Sequence, residues 1–401
     1  MKYDFTSILD RKGKDAIAID LVREGGAYPA PKDGFDVIPM WVADMNFPVV
    51  PTIQKAVIQR TKHPTFGYFA PREEYYQAII RWQETHNGIA GLKPGNIGYQ
   101  NGVLGGVVSA MNILCSKGDK VLVHSPTYVG FTHSLGSNGY EIVHSPLKLD
   151  ENGIWRMDFE DMEEKLRTQK IHTTILCSPH NPTGRVWEKW ELEKAMALYA
   201  KYDVNVVSDE IWSDLLRPGV RHIPTQSVSE DAKQRTIAFY APSKTFNLAG
   251  LIGSYHIIYN QRLSDRMEKE CSLSHYNSMN VLSMYALLGA YQEEGYEWVE
   301  ELKQVIAGNV DFACDYIQKY FDGVSFCKPQ GTYMLFIDCE KWLIKHGKTM
   351  DELLKAGWDV GVVWQDGRDF HGKTHIRLNL ALPLSRVREA FERLDKYVFN
   401  G

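Results

Sequence analysis

An α/β architecture built on a mainly parallel sheet is predicted by three observations. Between about residues 103 and 259 the apolar runs "KVLVHSP", "TTILCSP", "VNVVSDE" and "RTIAFYAPSK" each end in polar or turn residues. Parallel strands buried on both faces, with functional loops at their carboxyl ends, have this pattern. Between them, "DFEDMEEKLRTQ" and "EKWELEKAMALYAKY" carry helical spacing and charge, and such alternation marks an α/β domain. Finally, 401 residues exceed what one hydrophobic core organises, and the texture changes beyond about Gly289.

In chain order, "MKYDFTSILDRKGKD" mixes charges with short apolar pieces and lacks the apolar region of a signal peptide. Residues 1–48 are expected to pack with a small domain. "FPVVPTIQKAVIQRTKHP" then opens a large domain, 49–289, as a helix with Pro51 in its first turn. "QNGVLGGVVSAMNIL" reads as a glycine-rich turn starting an apolar helix. Residues 290–401 form the smaller α+β domain: the helical "YEWVEELKQVIAGNVDFACDYIQKYF", then "GVSFCKPQGTYMLFIDC" and "HIRLNLALPLSRVREAFERLDKYV".

Composition narrows the partners. A net charge of −5 with 24% charged residues gives no footprint for nucleic acid or an anionic membrane surface. No uninterrupted apolar span is long enough to cross a bilayer, so a cytoplasmic location is the default expectation. The six cysteines lack a C-x-x-C pair, which favours reduced thiols over disulfides or zinc, and no metal is expected. Small molecules and other protein chains remain as partners.

Ligands of open parallel sheets collect beyond the carboxyl ends of the strands. "TTILCSP" is followed by His180 and Asn181, "VNVVS" by Asp209 and Glu210, and "TIAFYAP" by Ser243 and Lys244. Tyr128 follows another apolar run, in "SPTYVG". The backbone N–H groups of Val103 and Leu104, at a helix start, can cradle a phosphate. Each feature alone has a bland reading: a surface lysine, a capping aspartate, a turn-forming asparagine, a packing glycine. Together they meet the needs of pyridoxal 5'-phosphate, which takes a lysine amine for a Schiff base, a carboxylate for its ring nitrogen, donors for its hydroxyl, a phosphate cradle and an aromatic face. Lys244, Asp209, Asn181, Ser243 and Tyr128 fill these roles.

The ordered motifs "WVADMNFPVVPTI", "FGYFAPREEYYQAI", "SPHNPTGRVW", "SDEIWSDL", "APSKTFNLAGL" and "RLNLALP" resemble the aspartate-aminotransferase-fold family of pyridoxal-phosphate enzymes (class I/II aminotransferases), and within it the cystathionine β-lyase-like C–S lyase branch. The resemblance implies a seven-stranded, mainly parallel sheet between helices in the large domain. It also implies an amino-acid substrate and a homodimer with active sites at the domain and subunit interfaces. By motif, Tyr68 would reach the partner subunit's phosphate, Arg377 would hold the substrate α-carboxylate, and Asn46 would stand at the pocket entrance, with Tyr128 also facing substrate. Many aminotransferases carry an arginine where this chain has Ile252, which tilts the expectation towards β-elimination. The alternatives are transamination and a regulator that kept the fold without catalysis.

Departures from the branch also bear on specificity. Trp212 stands where histidine often follows "SDEI", so a contact at the cofactor hydroxyl passes to an indole donor or is lost. "DRKGKDAIAID" keeps only Asp20 of the usual N-terminal motif. Gln365, Asp366, Arg368 and Asp369 make an unusually charged stretch before Arg377, which points to an unusual or charged substrate. The pair His371 and His375 is expected to be a loop beside the site rather than a metal site.

Overall fold

The alternating runs fold as α/β. The structure, a computed structural model, describes residues 1–273 and 277–401. It divides into two compact units: Met1–Pro48 with Pro182–Gly184 and Glu301–Gly401, and Val49–Asn181 with Arg185–Glu300.

The larger unit carries a seven-stranded sheet of β1 (Ile97–Gln100), β2 (Lys120–Ser125), β3 (Glu141–Pro146), β4 (Thr173–Cys177), β5 (Asn205–Asp209), β6 (Thr236–Tyr240) and β7 (Ser254–Ile257). Their spatial order is β1-β7-β6-β5-β4-β2-β3. All neighbours pair in parallel except β7, which is antiparallel to β1 and β6. Every residue of β4 and β6 is buried. Alternate side chains feed two cores: Val121, Val123, Ile175, Val207, Ile237 and Phe239 enter one, and Leu122, Leu176 and Val206 the other. Burial on both faces is why these strands read as continuous apolar runs. Cys177 pairs with Asp209, and Asp209 with Phe239, so β4, β5 and β6 end nearly level and the residues that follow share one edge.

Pro51 occupies the first position of helix α1 (Pro51–Thr61), where its missing N–H costs no hydrogen bond. Helix α2 (Gly102–Leu114) is the apolar helix expected after the glycine-rich turn. The charged region after Gly289 forms the 28-residue helix α3 (Glu293–Tyr320). The division between units falls at 300/301, inside α3, where 289/290 was expected.

The smaller unit has a sheet of β8 (Ser325–Phe326), β9 (Met334–Asp338), β10 (Gln365–Asp366) and β11 (His375–Asn379), ordered β8-β9-β11-β10 and antiparallel throughout. Helix α4 (Leu384–Leu394) buries Val387, Ala390, Phe391 and Leu394 at helical spacing. Ile38–Pro39 pairs in parallel with Val362–Val363, which ties the N-terminal segment into this unit. Among the described residues, no helix is long and apolar enough to cross a membrane, and no His/Cys/Asp/Glu group could hold a metal ion.

Candidate active site

Asp209 closes β5 in a buried position and accepts a hydrogen bond from the Ile211 N–H at 3.1 Å. Burial pushes its carboxyl up to about 7, against the pull of that N–H and of Lys244, with the neighbouring Glu210 charge adding to the rise. Lys244 lies in the one-turn helix Pro242–Thr245 that follows β6. Its Nζ stands 5.6 Å from the Trp212 ring centroid, and Trp212 is itself buried. The fold therefore brings Asp209, Lys244 and Trp212 together from the ends of two adjacent strands. Ser243 shares the lysine turn, half-buried, with its carbonyl accepting from the Leu248 N–H.

Gly102 opens α2 with φ +74°, a left-handed conformation that favours glycine. This turn leads into the helix start that carries the N–H groups of Val103 and Leu104. Tyr128 approaches the same place: a Cβ on Gly130 would lie 2.4 Å from its ring and 2.9 Å from the Leu104 side chain. Asn181 is buried in the loop after β4. That loop is braced by the His180 N–H on the Arg185 carbonyl (2.7 Å) and by Trp187 Nε1 on the Cys177 carbonyl (2.8 Å). Arg185 and Trp187 thus support the loop, with Arg185 also bonded to Glu191 at 2.5 Å.

Two further groups here carry contacts to which the sequence assigns no role. Glu210, next to Asp209, is fully buried and accepts from His222 Nε2 (2.6 Å), Tyr240 OH (2.6 Å), Ser208 Oγ (2.8 Å) and the Thr225 N–H (3.0 Å). Burial alone would raise its pKa, but His222 and these hydrogen bonds hold it below the ordinary carboxylate value. Asp214 accepts from Thr245 Oγ1 at 2.8 Å and from Trp82 Nε1 at 3.2 Å, so it clamps the lysine turn to the helix Glu73–Asn87. No local pattern marks His222 or Trp82, because both contacts are long-range.

Arg377 and Asn46 belong to the smaller unit. Arg377 lies buried on β11, its guanidinium carbon 4.4 Å from the Phe370 ring centroid. Its Nη2 donates to the Trp41 carbonyl at 2.9 Å and to Gln365 Oε1 at 2.5 Å. Asn46 Oδ1 accepts from Arg11 Nη1 at 2.8 Å, while its buried Nδ2 has no partner among the described residues. Arg11 also pairs with Asp44. Asp20 organises the turn before it, accepting from the N–H groups of Gly13 and Ala16. His371 follows the turn Gly367–Phe370 with φ +65°, whereas His375, expected in a loop, opens β11 and stacks on Phe336 at 4.5 Å.

Tyr68 is fully exposed, at 112% of its reference surface, in the coil after α1. It lines a cleft of about 830 Å³ with Phe66, Phe69, Tyr99, Met279 and Leu282. Ile252 adopts φ +45° and is 54% exposed, and Tyr99 OH donates to its carbonyl at 2.8 Å.

The family model "Aminotransferase class I and II" matches residues 36–394. The chain is 32% identical to cystathionine beta-lyase PatB of Bacillus subtilis over 361 residues, covering 90% of this chain and 92% of that protein. Among solved structures it superposes on a putative aminotransferase from Clostridium difficile 630, described as PLP-bound, with a TM-score of 0.89 and 32% identity over 98% of this chain and 99% of the other. A PLP-bound C–S lyase from Staphylococcus hominis matches with a TM-score of 0.88 and 28% identity over 98% of both chains. With this match spanning nearly the whole α/β framework described above, the chain belongs to the class I and II aminotransferase family.

Proposed function

We propose that the protein is a pyridoxal-phosphate-dependent C–S β-lyase that cleaves cystathionine or a related S-substituted cysteine to thiol, pyruvate and ammonia. The observation that carries the reading is the placement of Lys244 and a buried Asp209 after adjacent strands, near enough for the lysine charge to act on the carboxyl. A carboxyl raised to about 7 is short of a positive partner, and a protonated pyridine nitrogen is one. When bound, the cofactor would supply an electron-accepting ring that stabilises charge at the substrate α-carbon.

The chain's own groups have distinct tasks. Lys244 would anchor the cofactor and carry the α-proton. Asp209 holds the ring nitrogen charged. Asn181 and the Trp212 indole serve the ring hydroxyl, and Tyr128 covers a ring face. The N–H groups of Val103 and Leu104, with the Ser243 hydroxyl, hold the phosphate. Arg377 grips the α-carboxylate with two parallel donors, and Asn46, whose Nδ2 has no partner among the described residues, stands at the pocket entrance. Tyr68 completes the phosphate site of a second copy in a homodimer; its full exposure in an apolar cleft supports that reading.

Ile252 and the named C–S lyase relatives favour elimination. Transamination is the second reading, favoured by the putative aminotransferase among the neighbours. Incubation with cystathionine is expected to yield thiol, pyruvate and ammonia; amino exchange that needs a 2-oxo acid and releases no thiol would assign the second reading. The loaded protein should be yellow and lose that absorbance on borohydride treatment. Lys244→Ala should lower turnover by at least about 10³-fold.

A further inference from the structure

The stretch before Arg377 holds more charge than carboxylate binding requires, and most of it is internally compensated. Arg368 donates to Asp366 through Nε at 2.9 Å and through Nη2 at 2.6 Å, and to Asp351 at 2.5 Å. Gln365 is taken up by Arg377. Asp369 is different. It is an exposed carboxylate in the turn Gly367–Phe370, next to the Phe370 ring that underlies Arg377, and among the described residues it makes no ion pair. Partial burial and the Asp366 charge raise its pKa, while Arg368 and then Arg377 lower it, so Arg377 is within electrostatic reach. Asp369 also acts on the Tyr28 phenol, pushed up to about 12 chiefly by burial. The Tyr28 ring is fixed edge-on against Trp41 and Trp358, at 4.8 and 5.3 Å.

With Arg368 already held by Asp366 and Asp351, a carboxylate that makes no ion pair of its own beside aromatic rings attracts a cation, through Coulomb attraction and through the negative ring faces. Once a substrate α-carboxylate neutralises Arg377, Asp369 is the charge that remains. We propose that the smaller unit selects amino-acid substrates whose far end is positively charged, with Asp369 and the Tyr28 ring as the recognising groups. The proposal rests on the amino-acid lyase reading above and narrows its substrate class.

Three S-substituted cysteines of similar length test it on the cofactor-loaded protein: S-(2-aminoethyl)-L-cysteine, its neutral isostere S-propyl-L-cysteine, and the anionic S-carboxymethyl-L-cysteine. Thiol release gives kcat/KM for each, and calorimetry on loaded Lys244→Ala gives Kd without turnover. The aminoethyl probe is expected to exceed the propyl probe by about fivefold in both measures, with carboxymethyl weakest. Asp369→Asn should bring the first ratio to about one, and Asp369→Lys should shift preference to the carboxymethyl probe. A wild-type ratio near one, a ratio unmoved by Asp369→Asn, or no binding of the aminoethyl probe overturns the proposal. If no probe releases thiol while the binding order follows residue 369, the lyase reading fails and charge selection stands. Equal thiol release from all three does the reverse.

Discussion

Asp209 and Glu210 are adjacent carboxylates at the end of one strand, both buried, and their surroundings push them in opposite directions. Glu210 meets four donors, including His222 and Tyr240, and its pKa falls. Asp209 has one backbone N–H and a nearby lysine, and its pKa rises to about 7. A buried carboxylate is tolerated where partners compensate desolvation and is costly where they do not. Glu210 therefore belongs to the scaffold, while Asp209 keeps a deficit that a bound cation can fill.

Amide substitution at each position gives the largest expected effects. Asp209→Asn should reduce turnover by about 10²- to 10³-fold, by removing the anion opposite a developing charge. The same change should leave the cofactor-free protein as stable as wild type or more so, because it removes a carboxyl that is costly to ionise in place. Glu210→Gln should instead destabilise the cofactor-free protein by about 3 kcal/mol, since His222 and Tyr240 lose a buried anion. Urea midpoints of both variants without cofactor check this pair. Equal losses of stability would erase the distinction between the two carboxylates.

A smaller effect appears in the pH dependence. The folded-state pKa of Asp209 lies above its ordinary 3.8, so between about pH 4 and pH 7 the folded protein binds the extra proton and stability from this group is lost as pH rises. Buried His124, His180 and His256 behave oppositely: burial lowers them to about 4, about 3 and about 4. Below about pH 6.5 the unfolded chain takes up their protons first, so their stability is lost as pH falls. Asp209→Asn should remove the Asp209 contribution and leave that of the histidines in place. Its advantage over wild type should grow from pH 5 to pH 7 by about 2 kcal/mol at most. An advantage that stays constant over that window would remove Asp209 as the source.

Much of this arrangement could be read from sequence, for identifiable reasons. The strands β2, β4, β5 and β6 are buried on both faces, so their apolar runs stand out, and Asn181, Asp209 and Lys244 follow those runs directly. The strands β1 and β7 escaped detection because "IGYQ" and "SYHI" hide polar groups in the core: Gln100 Nε2 meets His256 Nδ1 at 2.9 Å, and Gly98 leaves room for the His256 ring. Glu210 was visible as a carboxylate after a strand. Its partner His222 was not, since no periodicity links it to β5. Arg11 likewise reads as one charge in "DRKGK" until the fold brings Asp44 and Asn46 to it.

Ile252 extends the contrast from charge to backbone and gives the smallest effect. Beside the satisfied scaffold of Glu210, the chain after Lys244 holds a β-branched residue at φ +45°, where its Cβ crowds the neighbouring carbonyl. The residue is 54% exposed, so only part of its apolar surface is buried to offset that strain, and the Tyr99 hydroxyl holds the carbonyl in place. Ile252→Gly should stabilise the protein by about 1 kcal/mol, because glycine takes this conformation without the clash. Tyr99→Phe in the Ile252→Gly background should cost less than in wild type, since the hydroxyl no longer has a strained conformer to hold. The double-mutant cycle over these two positions reads the coupling directly. A destabilising Ile252→Gly would show that the side chain packs against something that offsets its backbone, and Ile252 would then join Glu210 as scaffold.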